Sequence, residues 1–96
     1  MKPSQALKRH RIDIRNIVQR HRANNPRVFG SAVHGDERDG SDLDFLIDPS
    51  EQMTLFDLGA IRYELRELLG VEVDVLTPNA LPDSFREKVL SEAVPV

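Results

Sequence analysis

Three aspartates carry most of the chemical information in this chain of 96 residues. Asp42 and Asp44 stand two apart around Leu43, at the start of Leu43-Asp44-Phe45-Leu46-Ile47, a run that reads as a strand closed by Asp48-Pro49-Ser50. Residues two apart in an extended chain share a face, so both carboxylates point the same way, roughly 7 Å apart along the backbone. Leu43, Phe45 and Ile47 occupy the other face and offer an anchor to a core. Two carboxylates so placed repel each other unless water or a cation compensates. A hard divalent cation suits them, and magnesium commonly binds one or two carboxylates together with substrate phosphates. An isolated Asp-x-Asp also fits a plain solvent-facing strand, because exposed carboxylates need no special explanation. A calcium loop is excluded, since neither Asp36 nor Asp42 begins the required alternation of acidic ligands and glycine.

Asp74 is the third. It lies in Val71-Glu72-Val73-Asp74-Val75-Leu76, whose alternation reads as a strand, and a charge between valines is costly unless its face is wet or ligated. Beside the first strand it would complete a triad; the alternative, that Glu72 and Asp74 mark the solvent side of an edge strand, stays open. Upstream, Gly30-Ser31 directly follows the extended run Arg27-Val28-Phe29. A helical turn after it would present free backbone amides to an anion, glycine permits close approach, and the Ser31 hydroxyl can donate to a phosphate oxygen. The pair alone is equally a simple turn, and it matches neither the GxxxxGK[ST] loop nor the GxGxxG fingerprint.

The elements that must position these residues follow from periodicity. Ser4 to Arg22 places Leu7, Ile14, Ile17 and Val18 on one stripe of a helix with Ser4 as its cap, and Asn24-Asn25-Pro26 breaks it. Arg27 to Phe29 forms strand one; Ser31 to Ser41 is a polar connection that could open with one helical turn; Leu43 to Ile47 is strand two. Thr54 and Asp57 form a capping box ahead of Leu55, Leu58, Ile61, Leu65, Leu68 and Leu69, with Gly70 as the C-terminal cap. Val71 to Leu76 is strand three, and Pro82 to Ala93 a final helix. This order predicts an α+β fold of two layers, a small mixed β-sheet with helices packed on one face, in a single domain spanning 1–96.

Composition narrows the setting. Hydrophobic residues make up 40% and charged residues 30%, so neither disorder nor a membrane span is favoured; no cysteine is present, and a cytoplasmic location is expected. The net charge of -3 hides an asymmetry: residues 1–27 carry eight Lys or Arg against the lone Asp13, and the remainder five against fifteen acids. The acidic body argues against direct nucleic-acid binding, whereas the basic segment is either a solvated helix face or a surface for phosphates or an acidic partner.

Gly30-Ser31, ten intervening residues, Asp42-Leu43-Asp44 and a third acid on a later strand together resemble the signature of the DNA polymerase beta-like nucleotidyltransferase superfamily. Val28 to Gly35 and Ser41 to Ile47 look like the minimal nucleotidyltransferases, MntA-like antitoxins often paired with HEPN-domain toxins, and the likeness continues through Leu68 to Val75 and Glu92 to Pro95. The resemblance implies a palm-like fold in which Gly30 and Ser31 contact the triphosphate of ATP. It also implies that Asp42 and Asp44 hold two magnesium ions, while Asp74 binds the catalytic ion and helps activate the attacking hydroxyl. The implied activity is AMP transfer to a tyrosine of a HEPN ribonuclease, consistent with a chain too short for the second lobe that grips a small acceptor. Two other readings remain: an antitoxin that neutralises by binding alone, and a free-standing transferase acting on a small molecule or an RNA end. His34 departs from the family, whose members commonly carry arginine before this glycine. It reads as a loop histidine, not a metal ligand, and Tyr63 as a packing or surface residue, not an acceptor.

Overall fold

The computed structural model describes residues 2–35, 38 and 42–96. Among these residues five helices and four strands follow one another as α1 (Pro3–Arg9), α2 (Arg11–Arg20), β1 (Ala23–Phe29), α3 (Ser31–His34), β2 (Leu43–Pro49), α4 (Leu55–Leu69), β3 (Val73–Leu76), α5 (Arg86–Glu92) and β4 (Val94–Pro95), with a 3-10 turn at Pro78–Ala80. The expected first helix is two helices, hinged at His10, where φ -110 and ψ 20 leave the helical region. Its start also differs: Pro3 opens α1, because a proline at the first helical position has no amide to leave unsatisfied. Ser4 is therefore inside the helix, and the Gln5 carbonyl Oε1 accepts the Lys2 N–H at 2.9 Å.

The helix α4 matches its sequence signals. The Asp57 carboxylate accepts the Thr54 N–H at 2.9 Å, Thr54 Oγ1 accepts the Asp57 N–H at 3.3 Å, and Gly70 ends the helix in the left-handed region at φ 72. Its buried stripe, Ile61, Leu65 and Leu69, repeats every four residues and faces the sheet.

The sheet runs β3-β2-β1-β4. β1 pairs antiparallel with β2 and β4, while β2 and β3 are parallel, joined through α4 as a parallel pair requires. Strand β1 begins four residues earlier than Arg27 because Asn24-Asn25-Pro26 is absorbed as a bulge: the register with β2 shifts between Asn24 and Arg27, and Asn25 adopts φ 54. The chain turn expected there occurs instead at Arg22, with φ 66. β2 continues through Asp48 and Pro49, whose partners are Asn24 and Ala23. β3 starts two residues later than Val71, and α5 four later than Pro82, because Arg86 donates to the carbonyls of Pro78 and Leu81 at 2.9 and 2.8 Å and holds the preceding segment as a turn. β4 had no alternation to reveal it, being two residues long.

Ile14, Ile17 and Val18 of α2, Leu7 of α1 and the α4 stripe bury one face of the sheet, represented by Val28, Leu43, Phe45, Ile47, Val73 and Val75. No helix among the described residues is long and apolar enough to cross a membrane.

Candidate active site

The site grows from strand parity. Leu43, Phe45 and Ile47 are fully buried on the helix side, which turns Asp44 to the opposite face. On β3 the same alternation buries Val73 and Val75 and turns Asp74 outward. The parallel register sets Asp44 directly beside Asp74, with Leu43 beside Val73 and Phe45 beside Val75. Asp42 lies one residue ahead of β2 and is exposed. Asp44 and Asp74 thus stand at one register position near the leading end of β2, with Asp42 just ahead of it.

Gly30 closes the other side. Phe29 is the register partner of Asp44 on β1, so the turn after it passes over that carboxylate. Gly30 has φ 79, and a Cβ placed there would sit 2.5 Å from Asp44 Oδ2. Glycine is needed twice, for the backbone conformation and for the space Asp44 takes. The expected helical turn is α3: Val33 and His34 donate their N–H groups to the Gly30 carbonyl at 3.0 and 3.2 Å, and Gly35 ends it in the left-handed region. The amides of Ser31 and Ala32 precede those first intrahelical donors, the position in which helix N–H groups are free for other acceptors.

Burial, and then the charges of Asp74 and Asp42, raise the Asp44 pKa above its ordinary value. No ion pair among the described residues engages Asp42, Asp44 or Asp74, although most arginines of the molecule are paired. Negative charge gathered this way without a counter-charge is a cost, and hard oxygen donors are the set a magnesium ion prefers. Among the described residues no group of three or more such side chains is already gathered around a single point as metal ligands. Asp44 and Asp74 converge in backbone register, while the three carboxylates do not close on one point. The donor set fits the cation, which would have to draw the carboxylates together.

Two partners of the site were invisible to sequence reasoning. His34 Nε2 lies 3.0 Å from Glu92 Oε2 of α5, tying the turn after Gly30 to the C-terminal helix. Arg62 Nε donates to the Val73 carbonyl at 2.9 Å, one residue before Asp74, and fixes β3 to α4. They join residues 58 and 11 apart and leave no periodic pattern in the sequence. Tyr63 is exposed at 61%, as a surface residue.

Comparison with known proteins places the chain and its fold in a family. The family described as a nucleotidyltransferase domain matches residues 11–96. A Methanocaldococcus jannaschii relative named "putative protein adenylyltransferase" is 39% identical over 83% of this chain and 86% of its own. The protein adenylyltransferase MntA of Thermococcus cleftensis is 36% identical over 70% of this chain and 68% of its own. Among solved structures, a "putative minimal nucleotidyltransferase" superposes with a TM-score of 0.86 at 39% identity, covering 97% of this chain and 95% of that one. A toxin-antitoxin structure with AMP-PNP shares the fold at a TM-score of 0.69 and 15% identity, covering 83% and 66%. The mixed four-stranded sheet matches a minimal nucleotidyltransferase fold. This chain belongs to the nucleotidyltransferase domain family.

Proposed function

We propose that this chain is a single-domain antitoxin enzyme that transfers AMP from ATP to a tyrosine hydroxyl of a HEPN-domain ribonuclease. The observation that carries the reading is the meeting of Asp44 and Asp74 at one register position against the Gly30 turn. Relatives named as protein adenylyltransferases support a protein acceptor, and the toxin-antitoxin neighbour with AMP-PNP supports the fold's use of such a nucleotide.

In this reading Asp42, Asp44 and Asp74 would hold two magnesium ions. When bound, these ions supply positive charge to the entering and leaving oxygens of an in-line displacement. Gly30 lets the triphosphate come close to the backbone, and Ser31 Oγ donates to a phosphate oxygen. The tyrosine oxygen bonds to the α-phosphorus as the bond from that phosphorus to the bridging oxygen breaks. Pyrophosphate leaves, and the hydroxyl proton passes to the Asp74 carboxylate.

The test is intact-mass analysis of both chains after incubation with ATP and magnesium. An AMP increment on the partner, absent with Asp42→Asn, is the expected result. A tight complex with unchanged masses would replace transfer by neutralisation through binding; transfer to a small molecule or RNA end without the partner would replace the acceptor.

A further inference from the structure

Among the described residues other than Arg38, the arginines and Lys8 divide into two populations. Arg15 donates to the Val96 carbonyl at 2.8 Å; Arg20, Arg22, Arg27, Arg62, Arg66 and Arg86 each face a carboxylate of Glu64, Asp57, Asp48, Glu72 or Asp83. Lys8, Arg9 and Arg11, at the junction of α1 and α2, have no side-chain partner among the described residues. They are exposed on a chain with fifteen acids beyond residue 27, so their lack of partners is not a shortage of carboxylates.

These cations stand beside an apolar groove. Leu7 of α1, Ala32 and Val33 of α3 and Val94 of β4 line a cavity of about 230 Å³ together with Lys8 and Arg11. Val94 is 48% exposed and Ile12, next to the unpaired cations, 71%. β4 is the last strand of the sheet on this side. The helix that lends Ala32 and Val33 to the groove is the same one that Gly30 opens, so the groove and the phosphate-side turn share α3.

We infer that this groove is the docking site for a segment of the acceptor protein that carries acidic residues beside aliphatic ones. The inference deepens the protein-modifying reading above and rests on it for the identity of the acceptor. Charge complementarity selects the occupant: unpaired cations beside an aliphatic trough match carboxylates flanking Leu, Ile or Val. A segment seated there lies on the helix-covered face, to which Val28 and its partner Phe45 belong, and touches α3, the turn that Gly30 opens. RNA fits less well, because the lining offers no aromatic ring for base stacking and the body of the chain is acidic.

The experiment is calorimetric titration of the full chain with the acceptor protein in the absence of nucleotide, so that binding is read whether or not AMP is transferred. The double variant Lys8→Glu, Arg11→Glu is expected to weaken binding about 10- to 100-fold, with a smaller salt dependence than the wild type. Val94→Asp, at an exposed position, places a negative charge in the trough and is expected to weaken it likewise. Thermal stabilisation by ATP and magnesium should be the same in all three chains. Unchanged affinity in both variants overturns the proposal. So does loss of affinity with Phe56→Ser alone, which would move the interface to the exposed start of α4, or loss of oligouridylate RNA binding in the double variant with acceptor affinity intact. Wild-type binding lost in the variants, without AMP transfer in any chain, would leave the groove standing and remove the catalytic reading.

Discussion

On one face of β2, Leu43, Phe45 and Ile47 are wholly buried against α2 and α4; on the other, Asp44 sits half-buried beside Asp74 with no basic partner among the described residues. The same strand therefore lowers the free energy of the fold with its apolar side chains, the fully buried Leu46 on the parity of Asp44 included, and raises it at Asp44. Burial of aliphatic and aromatic surface is what tolerates the opposing charge cost. The position that works against stability is the one at which the proposed cation would sit.

Substitutions on the two faces should consequently move stability in opposite directions. Phe45→Ala removes a fully buried ring and is expected to cost about 3–5 kcal/mol, read as a lower urea midpoint. Gly30→Ala forces a Cβ toward Asp44 Oδ2 and strains a left-handed residue, costing about 1–3 kcal/mol and displacing the carboxylate. Its nucleotide transfer should fall more than its stability, which separate rate and melting measurements would check. Thr54→Ala removes the α4 cap, remote from the acids, and should cost about 1 kcal/mol with transfer unchanged.

Asp44→Asn is expected to do the reverse, raising Tm by roughly 2–5 °C in metal-free buffer while abolishing transfer. The sign follows from protonation. The folded-state pKa of Asp44 is raised, so the folded protein holds this proton more tightly than the unfolded chain. Its destabilising effect is absent below the ordinary value of 3.8 and develops as pH rises through the raised value. The stabilisation by Asp44→Asn should therefore be largest at neutral pH and vanish in acid; a pH series of melting curves on both chains would show it. Asp57 runs the other way. Its hydrogen bonds from Thr54, then Arg22 and His21, hold its pKa below 3.8, so its contribution is present above that value and is lost as pH falls through the lowered one.

The acidic face was legible in the sequence because strand parity is local: Asp42-Leu43-Asp44 and Val73-Asp74-Val75 state their own alternation. The same holds for α4, whose cap, stripe and terminal glycine lie within a few residues of one another. Pairing is a long-range property, so whether Asp74 stood beside Asp44 or on a bare edge needed the register of β2 and β3. The split at His10, the bulge at Asn25 and the short β4 were hidden for a related reason. Each is imposed by what the segment packs against: α1 and α2 on the sheet, β1 between two partners, and Val94 opposite Val28. Gly30 read as a turn glycine or a triphosphate contact, and only the fold shows that Asp44 fills the space its side chain would need.

The central claim, that the acidic face carries nucleotidyl transfer to a protein, is tested most directly by where a radiolabel goes. The chain is incubated with its partner, magnesium and ATP labelled at either the α- or the γ-phosphorus, and the partner is then resolved under denaturing conditions. Label on the partner from α-labelled ATP alone, lost with Asp44→Asn, is the predicted result. Label from γ-labelled ATP, or none from either while a toxin complex still forms, would contradict it.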